Sequence, residues 1–269
     1  MSAQDVVTIE EINNLTLGDE YLFETVMQNK ELCKKFISTF LEIPNVVDIE
    51  YISAEEAYQH SYSSKGVRFD VFVQGVDGIA YVIELQQTNT YEIEKRLRFY
   101  SSMVDSRQLS KGQKNKYKDL KDNYIIFIAR ESIFKGGLYR YTFKNVCLEM
   151  PDLILNDGST KIVFDTKGTH GDVSEDVLAF LRAIEGEVSS NEFVKEFQDM
   201  AEEIKTDEIW RSAYMQSLLR EQDKWDEAQE EKAIEVAKKL LKRGLSPIDI
   251  AEDSGLSFEV IEQLQQENR

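Results

Sequence analysis

The chain has 269 residues, of which 42% are hydrophobic, and a formal net charge of −18. That length supports one substantial core with a smaller appended module, and that apolar share excludes wholesale disorder. No apolar run is long enough to span a bilayer, the acidic start MSAQDVVTIEEINN is no secretory signal, and the distant cysteines Cys33 and Cys147 suit idle thiols, so a cytoplasmic protein without membrane association is expected.

The charge is unevenly spread. Residues 1–170 carry 25 acids and 20 bases, whereas residues 171–269 carry 25 acids and 12 bases. Within the first part, Ile93–Lys144 holds 13 bases and 5 acids. The acid excess, which taken as a total argues against nucleic acid, therefore lies mainly in the last third, and the basic stretch stands apart from it.

In chain order, LGDEYLFETVMQNKELCKKFISTFLEIP reads as one helix, or two broken near Asn29, with Asp19 as N-cap and an end before Pro44. Val46–Ile52 alternates as a strand does. KGVRFDVFVQGVDGIAYVIELQQ (65–87) reads as two strands around a turn. Tyr91–Leu109 is helical, with Ile93, Leu97, Tyr100 and Val104 on one face, and NYIIFIA (123–129) is a buried strand. Leu138–Met150 and Ile154–Asp165 are expected as further strands or hairpins, with a turn at Asn156-Asp157-Gly158. Val173–Gly244 is mostly helical and heavily charged. LSPIDIAEDSGLSFEVIEQL reads as two short helices capped by Ser246 and Ser257 and joined through Gly255. The pattern is an α+β core (1–170), an acidic helical region (171–245) and a small helix-turn-helix-like unit (246–269).

The 65–87 stretch places an acid in each of two otherwise apolar strands, Asp70 and Glu84. Side chains alternate along a strand, so the turn decides whether the two meet. A two-residue Asp77-Gly78 loop sets Asp70 opposite Leu85. A three-residue Val76-Asp77-Gly78 loop sets Asp70 opposite Glu84 and Arg68 opposite Gln86, with Gly78 at the position that favours a left-handed backbone. Facing carboxylates about 5 Å apart repel unless a cation lies between them, and Mg²⁺ takes oxygen ligands of this kind. The bland alternative is a hairpin whose acids are solvated.

The stretch KGVRFDVFV…YVIELQ resembles the D…ExQ core of the Rpn-type recombination-promoting nuclease and transposase family of the PD-(D/E)XK nuclease superfamily. GDEYLFETVM, ELCKKFI, KRLRFYSSMVDSRQLSKG, YKDLKDNYIIFIA, YTFKNVC and LILNDGSTKIVF are similar to other family stretches, so the resemblance runs from about Asp19 to Gly168. It implies a restriction-endonuclease-like core, a central mixed sheet flanked by helices, and metal-dependent DNA cleavage with Mg²⁺ or Mn²⁺. By that resemblance Asp70 and Glu84 are the metal-binding acids, Leu85 offers its backbone carbonyl, and Gln86 stands where the superfamily usually has Lys and positions the attacking water. Glu24 is a candidate to complete the metal sphere, with Glu20 and Asp19 as competitors. Arg96, Arg98 and Tyr100 follow as candidate phosphate contacts, Arg96 and Tyr100 on one helix face, and Lys111 belongs to a basic loop that could track DNA.

Two histidines, His60 and His170, exclude a His-rich zinc site. In the last helix Glu259 and Glu262 suit protein contact, including a homodimer, better than a phosphate lattice. Two other readings stand beside the nuclease: a catalytically weak protein that keeps the fold for DNA binding or regulation, and an acidic oligomeric interaction protein.

Overall fold

A mixed sheet of six strands organises the first part of the molecule. The computed structural model describes residues 7–43, 46, 48–58, 66–109 and 116–267; Lys111 and His60 lie outside them. The strands are β1 (Ile49–Tyr58), β2 (Val67–Gly75), β3 (Ala80–Gln86), β4 (Asn123–Ala129), β5 (Arg140–Phe143) and β6 (Ser159–Asp165), in the spatial order β1-β2-β3-β4-β6-β5. β1, β2 and β3 pair antiparallel, β3, β4 and β6 pair parallel, and β5 closes the far edge antiparallel to β6. β4 is buried along its length apart from the half-buried Tyr124, as the run NYIIFIA requires of a central parallel strand.

The β2–β3 connection settles the parity question. Gly75 N–H donates to Ile79 O at 3.0 Å, Gly78 N–H donates to Gly75 O at 2.8 Å, and Val71 pairs with Ile83. The loop is therefore Val76-Asp77-Gly78, with Gly78 at φ 83°, and the ladder runs as far as Val71–Ile83, a register that, continued, brings Asp70 level with Glu84.

Helices cover both faces. α1 (Ile9–Asn13) is short. α2 (Glu20–Met27) starts at the Asp19 cap, whose Oδ1 accepts from Leu22 N–H at 2.8 Å. α3 (Lys30–Leu41) starts afresh because the Asn29 side chain accepts from Glu31 and Leu32 N–H. α5 (Glu175–Ile184) and α6 (Glu192–Thr206) extend this layer through a chain of rings: Phe36 on Phe40, Phe40 on Phe164 of β6, and Phe180 of α5 on Phe36, Phe40 and Phe197. α4 (Ile93–Gln108) covers the other face, burying Ile93, Leu97, Tyr100 and Val104 with Phe72, Val82, Ile125 and Phe127.

Two stretches are defined more closely by the structure than by the sequence. The first compact unit runs to Asp207, beyond residue 170, because α5 and α6 each turn an apolar face to the core while their acids stay outside. Within Leu138–Met150 only Arg140–Phe143 is a strand; past the last rung, Phe143–Lys161, the chain leaves β6 and folds on itself. Leu155 N–H donates to Asn145 O and Cys147 N–H to Leu153 O, forming an arm whose Leu148 is 85% exposed.

The second unit is Glu208–Arg269. α7 (Glu208–Lys242) is a helix of 35 residues. α8 (Pro247–Ser254) is capped by Ser246 and ends at Gly255, φ 73°, and α9 (Phe258–Glu267) follows Ser257, whose Oγ accepts from Val260 N–H. Ile234, Ala237, Leu240 and Leu241 of α7 pack with Ile250, Ile261 and Leu264 of α8 and α9. Among the described residues, no helix is long and apolar enough to cross a membrane.

Candidate metal centre

α2 and β2 bring three carboxylates together. Asp19 is used up as the helix cap, which leaves Glu20 and Glu24, one turn apart, on the same side of α2. Their side-chain oxygens and one of Asp70 all lie within 4.8 Å of one another. Glu24 is 3% exposed and Asp70 8%, while Glu20 is half-buried beside Arg68, 3.7 Å away. A donor set made wholly of carboxylate oxygen suits a hard cation such as Mg²⁺ or Mn²⁺ and lacks the nitrogen or sulfur that zinc sites favour.

Asp70 and Glu84 interlock where the β2–β3 ladder stops. Asp70 N–H donates to Glu84 Oε1 at 2.9 Å, and Leu85 N–H donates to Asp70 Oδ2 at 3.0 Å. Each carboxylate thus takes a backbone donor that a regular ladder would have given to a carbonyl. Burial raises the Asp70 carboxyl to about 7, helped by the Glu20 charge and opposed by the Leu85 N–H, Arg68 and Arg96. Burial, then the Asp70 charge, pushes Glu84 well above the usual carboxylate range, against the Asp70 N–H, Arg96 and Tyr100.

The cation of the site comes from α4. Arg96 Nη2 donates to Glu84 Oε2 at 3.1 Å and to the Tyr100 hydroxyl at 3.0 Å, and its Nη1 donates to Gln86 Oε1. The guanidinium also stands 5.1 Å from the Phe127 ring centre and 5.4 Å from that of Tyr100, which hold its plane. Gln86 Nε2 donates to Thr88 O at 2.6 Å. The positive charge beside Gln86 comes from Arg96 on the neighbouring helix.

The structure therefore assembles Asp70, Glu84, Gln86, Arg96, Tyr100 and Glu24 in one place. It adds Glu20 beside Glu24, where the sequence left the two in competition; their i, i+4 spacing was the signal that both could serve. Glu84 is adjacent to the three-carboxylate cluster, with its oxygens turned to Asp70 N–H and Arg96. Leu85 touches Asp70 through its N–H. Arg98 is exposed on α4, and Tyr100 is both a core ring, edge-on to Phe69, and an Arg96 partner.

Residues 20–148, from α2 through β5, match the family model described as PD-(D/E)XK nuclease family transposase. Comparison with curated proteins and with solved structures gives no match. The six-stranded mixed sheet flanked by helices is that of a restriction-endonuclease-like PD-(D/E)XK fold, and all the acids of the centre fall inside the matched segment. The match over residues 20–148 supports the resemblance to the PD-(D/E)XK nuclease family transposases that the sequence carries.

Proposed function

We propose that this centre hydrolyses DNA phosphodiester bonds with Mg²⁺, Mn²⁺ being able to replace it, in a role tied to mobile elements or recombination. One observation carries the reading: carboxylates of α2 and β2 converge within 4.8 Å, next to a buried Glu84 held by the guanidinium of Arg96. Glu20, Glu24 and Asp70 would supply the donors, with Glu84 and the Leu85 carbonyl as further candidate ligands beside them and Arg96 as the phosphate partner. Bound there, a divalent cation supplies charge neutralisation for the scissile phosphate and makes water nucleophilic at neutral pH. Arg96 suits a phosphate because its planar fork donates two parallel hydrogen bonds. The Gln86 amide has two donor and two acceptor positions, so its bonds to Thr88 and Arg96 leave one of each to orient a water.

Plasmid nicking with Mg²⁺ or Mn²⁺ tests this, comparing wild type with Asp70→Ala and Glu84→Ala. Metal-dependent nicking by wild type that both substitutions abolish is the expected result. Equal nicking by all three proteins would end the assignment. The engaged Gln86 amide favours a second reading, a PD-(D/E)XK fold kept for DNA binding or regulation. Under it, DNA binding persists in all three proteins and none nicks.

A further inference from the structure

We propose that Gln87, backed by Arg130, positions the acid-bearing helix α2 against the strand ends of the metal centre. The proposal rests on the reading of Glu20, Glu24 and Asp70 as cation ligands. Gln87 follows the last residue of β3, the strand that carries Glu84 and Gln86. Its Nε2 donates to Gly18 O at 2.8 Å, and its Oε1 accepts from Arg130 Nη1 at 3.0 Å. Arg130 follows β4; its backbone N–H donates to Gln86 O at 2.9 Å and its Nη1 lies 3.4 Å from Gly18 O. Behind it, Glu185 at the end of α5 accepts from Arg130 Nε at 3.2 Å, from Thr166 Oγ1 at 2.9 Å, and from Lys167 Nζ.

Gly18 is the residue this frame grips. A Cβ there would stand 2.2 Å from Ile184 O, so the backbone is pressed against the end of α5. Asp19, the cap, comes next, then Glu20, and Glu24 one turn later. The buried Leu22, Phe23, Val26 and Met27 hold α2 onto the core. A directional hydrogen bond to Gly18 O fixes the axial position of α2, and ligand carboxylates need their positions held to about 0.5 Å. The frame touches none of the three carboxylates, so Gln87 acts through α2.

The test uses the full chain and four proteins: wild type, Gln87→Met, Gln87→Glu and Lys167→Ala. Gln87→Met keeps length and removes both polar ends. Gln87→Glu keeps a partner for Arg130 and loses the donor to Gly18, and it decides the matter if Gln87→Met does not fold. Readouts are Mn²⁺ titration calorimetry, amide exchange resolved by helix, and the thermal midpoint. Both Gln87 variants are expected to bind Mn²⁺ about 10- to 100-fold more weakly, the range found when partners that orient ligands are lost. Amides in the first turn of α2 should exchange about tenfold faster, while those of α3 and the thermal midpoint stay at wild-type values. Lys167→Ala, which loses only a Glu185 contact, should match wild type. Unchanged α2 exchange overturns the proposal, as does exchange that rises equally in α2, α3 and β4, or unchanged Mn²⁺ affinity where wild type binds. Failure of wild type to bind Mn²⁺ overturns the metal reading instead, and the exchange data still decide whether Gln87 holds α2.

Discussion

Asp70 and Glu84 hold each other across the split in the β2–β3 ladder, each accepting a backbone N–H from the opposite strand, at 2.9 Å and 3.0 Å. The two acids are thereby oriented before any ligand arrives. Their burial makes the ionised pair costly, and both carboxyls titrate above their ordinary range.

Asp70→Asn should therefore stabilise the metal-free protein at alkaline pH. The Asp70 carboxyl moves from 3.8 to about 7 on folding. A raised folded-state value means that its favourable contribution is complete below about pH 4 and is lost as the pH rises through 7. Asparagine keeps an acceptor for the Leu85 N–H and never ionises. Its advantage over wild type should grow from pH 5 to pH 8, with a ceiling of about 4 kcal/mol. Urea unfolding in chelator at both pH values measures it; an advantage that does not change with pH contradicts the argument.

Arg96→Ala should destabilise the protein increasingly as the pH rises, because an ionised Glu84, 1% exposed, is then left without its cation, while at lower pH a proton takes its place. Adding Glu84→Gln should recover much of that loss, since the neutral amide has no charge to pair. The double-mutant cycle should show a coupling of about 1–3 kcal/mol. Simple additivity of the two substitutions would mean that the pair does not interact in the folded state.

Much of this was legible from local rules. The caps at Asp19 and Asn29, the loop Val76-Asp77-Gly78 and the parity it imposes on Asp70 and Glu84 depend on residues near one another in the chain. The site was legible as a set of residues, less so as a set of contacts. Glu20 and Glu24 share a helix face by their spacing, but which face meets β2 depends on how Phe23 and Val26 pack. Arg96 reaches Glu84 and Gln86 only because α4 crosses β3 and β4. The grip of Gln87 and Arg130 on Gly18 joins residues 69 and 112 positions apart, and no periodicity signals it. Acid counts in residues 171–245 register the wet faces of α5 and α6, and they do not reveal that Phe180 and Phe197 are fully buried.

Gly18→Ala and Gly78→Ala should differ for a geometric reason. At Gly18 a methyl meets the Ile184 carbonyl at 2.2 Å, so backbone must move; overpacking of this kind costs about 1–3 kcal/mol and should weaken Mn²⁺ binding. At Gly78 the methyl meets the Lys121 side chain at 3.0 Å, and the main cost is the positive φ of 83°, about 1–2 kcal/mol. The loop length is unchanged, so Asp70 stays opposite Glu84 and Mn²⁺ binding should persist. Denaturant midpoints and calorimetry on both variants separate the cases, and loss of binding in Gly78→Ala alone would reverse the assignment.

Divalent metal should stabilise the protein more at pH 8 than at pH 6. With the Asp70 carboxyl at about 7, the site holds a proton at pH 6 that a cation must displace, whereas at pH 8 the carboxylate is ready to bind. Mn²⁺ at a hundred times its dissociation constant adds about 2.7 kcal/mol to stability. At one fixed Mn²⁺ concentration, that gain should shrink on acidification. Glu24→Gln and Asp70→Asn each remove a negative charge from the site and should lose most of the gain at both pH values. Arg98→Ala, on the exposed side of α4, should keep it. Thermal unfolding with and without Mn²⁺ at the two pH values is sufficient. A Mn²⁺ shift of equal size at pH 6 and pH 8, or one that survives Glu24→Gln, would place the cation away from these carboxylates.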